Sequence, residues 1–182
     1  EACCEEDSLM SRKTQWSKGR DVIPITKEID FTSKTGVKLA IDNIKNSEDA
    51  IWLSCPCTGG SGWVKINWFL GSERTRNKIR LHWESFYRIW ASFERVAEHA
   101  LRKDARVFIE WPRGCSYWQQ PRVRDFIDKH KFVYADFDGC MYGLRAVGGS
   151  ADGEFINKPW RVACSPNASL PKLLNKKCDG SH

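Results

Sequence analysis

Much that would decide a protein's class at a glance is missing from these 182 residues. No apolar run reaches the ~20 residues a bilayer-spanning helix needs, so no membrane partner is expected. No charged stretch followed by an apolar one opens the chain, so a secretory leader is not expected and the expected location is intracellular, nuclear or cytoplasmic. No Cys-x-x-Cys pair occurs, which removes the four-cysteine zinc ribbon. Cys178 and His182 at the end are two ligands, too few for a structural zinc, so no metal is expected. There is no phosphate-binding Walker loop, no Ser-His-Asp set and no nuclease-type carboxylate cluster. The 4 histidines stand apart from one another. Internal repeats and low-complexity stretches are absent.

What is present describes one folded domain of ordinary size, 1–182, with 41% apolar and 29% charged residues. The abrupt opening "EACCEEDS" reads as a cut inside a larger polypeptide. The 8 cysteines lie in or beside strand-like runs, which suits reduced thiols better than a disulfide framework. Net charge is +6, a balance that suits a polyanionic partner. The charge is uneven. Glu1, Glu5, Glu6 and Asp7 crowd the start, whereas 65–80 carries Lys65, Arg74, Arg76, Lys78 and Arg80 against Glu73.

Apolar runs alternate with helical patterns. A short strand begins at "DVIPITKEID" (21–30). Helical spacing follows over 33–49, with Ser33 a candidate cap. "AIWLSCP" (50–56) is a continuous apolar strand of the kind buried on both faces. The longest helix is expected over 83–104, a second buried strand over 105–112 and a helix over 120–130, with Pro121 in its first turn. Strands 131–138 and 160–166 close the chain. Two mobile loops are expected, 69–80 and 146–155. Strands alternating with helices predict an α/β sheet with right-handed crossovers. In such sheets ligands bind beyond the carboxyl ends of the strands. Asp30, Cys57, Glu110 and the stretch Asp138 to Tyr142 fall at those ends.

Four of these segments, in order, carry a family resemblance. "LSCPCTGGS" resembles the Pro-Cys motif after the fourth strand of DNA cytosine-5 methyltransferases. "VFIEWP" resembles their Glu-Asn-Val motif. "FDGCMYGL" followed by "NKPWRVACS" resembles the Cys-x-Tyr-Gly and Lys-Pro-Thr segments of phage-type and retroelement-associated relatives. The resemblance implies a Rossmann-like, three-layer α/β sandwich with a mostly parallel sheet, within a retroelement-type polyprotein. It implies S-adenosylmethionine as cofactor and nucleic acid as partner, DNA rather than RNA. In that chemistry a thiolate adds to C6 of a flipped-out cytosine while a carboxyl hydrogen-bonds the pyrimidine edge. Cys57 is then the nucleophile and Glu110 the carboxyl. The cofactor loop falls on "EACCEEDS", with Cys4, Asp7 and Ser8 as candidate cofactor residues and Asp30 a candidate for the ribose. That loop is degenerate: where the family has glycine, for close backbone approach, this chain has cysteines and acids. Trp111 stands in place of the asparagine after the glutamate.

Each candidate has a plainer reading. Cys57 is also what a small near-hydrophobe in a tight turn looks like. Glu110 is also a strand-end carboxylate for Arg106 or Arg113. Asp30, Asp7 and Ser8 are also helix-capping residues. The stretch from Gly62 to Arg80 interleaves Trp63, Trp68 and Phe69 with Lys65, Arg74, Arg76, Lys78 and Arg80. That combination suits stacking on bases and contact with phosphates, and Arg113 extends the patch. Its plain reading is a solvated basic loop with its tryptophans folded back onto the core. Two functions from different classes follow: a methyltransferase-like domain acting on nucleic acid, or a non-catalytic nucleic-acid-binding module.

Overall fold

A computed structural model describes residues 1–6, 8–13 and 19–181. The order is α1 (Lys34–Asp42), β1 (Ala50–Leu53), α2 (Gly62–Leu70), α3 (Glu73–Arg102), β2 (Arg106–Pro112), α4 (Pro121–Lys129), β3 (Val133–Asp138), β4 (Pro159–Cys164) and α5 (Leu170–Leu173). The four strands form one open mixed sheet in the order β1-β2-β4-β3, so the protein is α/β. β1 and β2 pair in parallel, Leu53 opposite Ile109. β4 runs antiparallel to both neighbours, Val162 standing opposite Glu110 on one side and Ala135 on the other.

The mostly parallel sheet expected from the sequence is therefore corrected. Two of its three strand pairings are antiparallel. The cause lies in 139–158. A parallel return needs a crossover of a dozen or more residues, usually a helix. This stretch instead makes a 3-10 turn at Gly139–Tyr142 and a bridge between Arg145 and Phe155. The chain re-enters the sheet at the end it left. One further segment joins the other edge: Ala2 bridges in parallel to both Ile25 and Leu53. Its amide donates to Trp52 O at 2.8 Å and its carbonyl accepts from Ser54 N–H at 3.0 Å.

Strand alternation separates two faces. Ile51, Leu53, Val107, Ile109, Trp111 and Ala163 point to one, where they share a core with α1, α3 and α4. α3 dominates that core. Ser72 caps it, accepting from Thr75 N–H at 3.3 Å, and Phe86, Trp90, Phe93, Val96, Ala97 and Ala100 form its buried stripe. Burying such large side chains is worth about 1.5–3 kcal/mol each. Trp90 and Trp111 are fully buried, and the Phe86 and Tyr117 rings stack at 3.8 Å. The opposite face carries Trp52, Phe108 and Glu110. There Leu170 of α5 shares with Trp52 and Phe108 the wall of a cavity of about 1050 Å³.

Other expectations shift locally. Ser33 caps α1 by accepting from Gly36 N–H at 3.0 Å, but the helix ends at Asp42 rather than near 49. The expected loop at 69–80 is helical: α2 runs to Leu70 and α3 begins at Glu73. Glu73 pairs with Arg76 at 3.3 Å and Arg80 at 3.2 Å, spacings that need helix. Among the described residues no helix is long and apolar enough to cross a membrane.

Candidate active site and nucleic-acid face

β1, β2 and β3 run the same way, so their carboxyl ends share one edge of the sheet. Cys57, Glu110 and the Asp138–Tyr142 turn all lie along it. What each side chain meets there differs by face.

Cys57 opens the 3-10 turn Thr58–Gly60 and packs, half-buried, against the main core. Its thiol is within electrostatic range of Cys55, Cys115 and Tyr117. Burial pushes Cys115 up to about 11 and Cys55 well above the usual thiol range. The small residues after Cys57 have a steric cause. A Cβ on Gly60 would overlap Cys115 Sγ, and one on Gly59 would overlap the Tyr117 hydroxyl. Trp83 then clamps the turn from α3, its Nε1–H donating to Gly59 O at 2.9 Å.

Glu110 projects from the other face. Its Oε2 accepts from Trp52 Nε1–H at 2.9 Å. Burial raises its carboxyl above the ordinary value, the Trp52 bond opposes that rise, Glu1 adds to it and Lys158 opposes it. Cys57 and Glu110 thus share an edge, but their partners lie on opposite sides of the sheet and no hydrogen bond joins them. The plain pairing of Glu110 with Arg106 or Arg113 is not what is found. Arg106 reaches Glu48 O, and Arg113 is exposed, its amide bonded to Pro159 O at 2.9 Å.

The candidate cofactor residues sit around the Ala2 segment. Asp7 lies outside the described residues. Cys4 is buried with its thiol on Glu1 O at 3.6 Å. Ser8 donates to Glu1 Oε2 at 2.6 Å. Asp30 is exposed, and its Oδ1 accepts from Thr32 N–H at 2.8 Å and the Thr32 hydroxyl at 2.7 Å, bonds that hold its carboxyl below the usual range. Asp30 shapes the turn into α1, while Ser33 is the cap. All three thus bond within the chain, and none of them lines the cavity of about 1050 Å³. These residues offer no glycine cradle for S-adenosylmethionine. Within this segment Cys3 takes φ 62°, the left-handed conformation that glycine ordinarily supplies.

The basic stretch becomes a helical corner beside the Cys57 turn. α2 buries none of its residues. Trp63 is 71% exposed and Phe69 79%. Trp68 is half-buried, tilted against Trp83 at 5.0 Å with the Arg80 guanidinium over its ring at 5.4 Å. Arg76 and Arg80 are held by Glu73, and Arg76 also donates to Gly71 O at 2.8 Å. Lys65, Arg74 and Lys78 are exposed and make no ion pair among the described residues. Arg113 is exposed just beyond the end of β2.

Sequence reasoning missed Trp52, Glu1 and Lys158 as the surroundings of Glu110, and Cys115 and Tyr117 as those of Cys57. Strand parity puts Trp52 and Glu110 on one face once the β1–β2 register is known, and that register is the missing signal. Among the described residues no group of three or more His, Cys, Asp or Glu side chains is placed to hold a metal ion. No protein-family model, no curated protein and no solved structure matches this chain.

Proposed function

We propose that this chain is a methyltransferase-like domain that engages nucleic acid, of the Rossmann-like kind found in retroelement polyproteins, with a degenerate S-adenosylmethionine loop. The observation that carries the reading is the solvent-facing corner of α2 and α3 beside the Cys57 turn. Its exposed Trp63 and Phe69 offer stacking surfaces, and Lys65, Arg74 and Lys78 are exposed and make no ion pair among the described residues. Stacking on a base is worth about 1–3 kcal/mol and tolerates any sequence. The shared strand-end edge supports the methyltransferase-like part, as does Ala2 entering the sheet between Ile25 and Leu53.

In the enzymatic form of this reading, Cys57 supplies the thiolate. Glu110, whose carboxyl burial raises above its ordinary value, supplies the group that hydrogen-bonds a pyrimidine edge. When bound, S-adenosylmethionine would supply only the methyl group. A second reading, a non-catalytic nucleic-acid-binding module, is favoured by one observation: Cys57 and Glu110 find their partners on opposite faces of the sheet.

Binding of a labelled single-stranded oligonucleotide, measured from 50 to 200 mM salt, tests the common claim. Affinity should fall steeply with salt. Neutralising Lys65, Arg74 and Lys78 should flatten the log–log slope by about 0.7 per lost contact. Salt-independent affinity, untouched by that triple variant, would sink it. A rise in Tm with S-adenosylmethionine, together with methyl transfer lost in Cys57→Ser, selects the enzyme. Nucleic-acid binding without either selects the module.

A further inference from the structure

The Asp138–Tyr142 turn and the C-terminal segment hold one another through several bonds. Asp138 N–H donates to Lys176 O at 3.0 Å, and its Oδ2 accepts from Cys178 N–H at 2.9 Å. The Tyr142 hydroxyl donates to Leu173 O at 2.9 Å and accepts from Asn175 N–H at 2.9 Å and Lys176 N–H at 3.2 Å. Cys140 sits between these two anchors. It is 6% exposed, and its thiol interacts with that of Cys178, which is half-buried. Hydrogen bonds from Asp138 and Tyr142 thus bring the two thiol-bearing segments side by side, and closeness of the sulfurs is the first condition a disulfide needs.

We infer that Cys140 and Cys178 form a thiol–disulfide site that staples the C-terminal segment to the strand-end edge. The oxidant class is a low-molecular-weight disulfide such as oxidised glutathione. Cys178, the more accessible thiol, attacks one sulfur of that disulfide as its thiolate, and the first glutathione leaves as a thiolate that takes up a proton. Cys140 then loses its proton, attacks Cys178 Sγ in the mixed disulfide and expels the second glutathione. Two protein thiols and one small disulfide become one protein disulfide and two small thiols. Burial raises the Cys140 thiol as it raises Cys115, Cys164 and Cys55, so the half-buried Cys178 makes the first attack. The staple also bears on the candidate site. Gly139 N–H bonds Lys158 O at 2.9 Å, so the turn it fixes is the one that carries Lys158 towards Glu110.

The test is incubation of the full chain with oxidised glutathione, followed by non-reducing tryptic mapping and thermal unfolding. The expected product has lost two hydrogens, shows Cys140 and Cys178 in one linked peptide, and melts roughly 5–10 °C higher until dithiothreitol reverses it. Cys178→Ser should give no such linkage while melting with the reduced wild type, which separates the staple from any packing role of buried Cys140. A glutathione adduct that persists on Cys178, a linkage between other cysteines, or a linked product with unchanged Tm would each overturn the inference.

Discussion

The indole of Trp52 donates to the carboxylate of Glu110 at 2.9 Å, joining neighbouring parallel strands on the face of the sheet away from the long helices. It is the side-chain hydrogen bond that Glu110 makes from a half-buried position. The carboxyl's protonation state is therefore tied to folding.

The first prediction follows from that tie. Burial raises the folded-state carboxyl of Glu110 above its ordinary value of 4.5. A raised carboxyl favours the folded state while protonated, so its contribution is full below 4.5 and is lost as pH rises through the folded value. Glu110→Gln keeps an acceptor for Trp52 and removes the charge. Urea unfolding should show the variant gaining on the wild type as pH rises from 4 to 8. A constant difference across that range would contradict the assignment.

Trp52→Phe keeps an aromatic ring stacked near Phe108, now 5.1 Å away, but removes the donor. Leaving a buried carboxylate without its partner costs about 1–3 kcal/mol. The loss should shrink towards acid pH, where the carboxyl is protonated. Denaturant midpoints of this variant and of the Trp52→Phe, Glu110→Gln double variant, measured at pH 5 and pH 8, check whether the two effects share one cause.

The turn after Cys57 is sterically closed. Gly59→Ala and Gly60→Ala should each destabilise by about 1–3 kcal/mol, because the new methyl meets Tyr117 or Cys115, side chains locked in the aromatic core. Gly62→Ala should be tolerated, since a Cβ there meets nothing within 4 Å. Thermal unfolding of the three variants orders them directly.

Cys3 makes the opposite case. At φ 62° a side chain carries strain that glycine does not. Cys3→Gly should stay within about 1 kcal/mol of the wild type, the relieved strain offsetting the added freedom of the unfolded chain. Cys3→Val should be clearly worse than either, because a β-branched residue resists this conformation. Equal losses in both variants would mean that packing rather than backbone sets the position.

Asp136 and Arg161 form a two-point pair across β3 and β4, at 2.7 and 2.8 Å. The Arg161 bonds hold the Asp136 carboxyl below its usual value of 3.8. Its contribution is therefore present above 3.8 and is lost as pH falls through the lower folded value. Both groups are about a quarter exposed, so Asp136→Asn should cost about 1 kcal/mol at neutral pH. The cost should vanish in acid unfolding below that value.

Local pattern carried much of the fold. The buried stripe of α3, the cap at Ser33, Pro121 at the start of α4 and the apolar cores of β1 and β2 follow from periodicity and capping, which neighbouring residues encode. α2 escaped because nearly every position in "WVKINWFL" is apolar, so no stripe marks a buried face, and none exists. Its continuation into α3 was legible in Ser72 and Glu73, a cap followed by an acid in the first turn.

By itself the amino-acid order determined that helices separate β1, β2 and β3, which residues along each element can be buried, and that Cys57 and Glu110 stand at strand ends. Only the tertiary structure decided that β4 turns back between β2 and β3, and that Cys57 meets the helix-side core while Glu110 meets Trp52 beneath the sheet. The reason is range. Periodicity is set within a few residues, whereas strand partner and register come from contacts between distant segments. A shift of one position in register would exchange the faces.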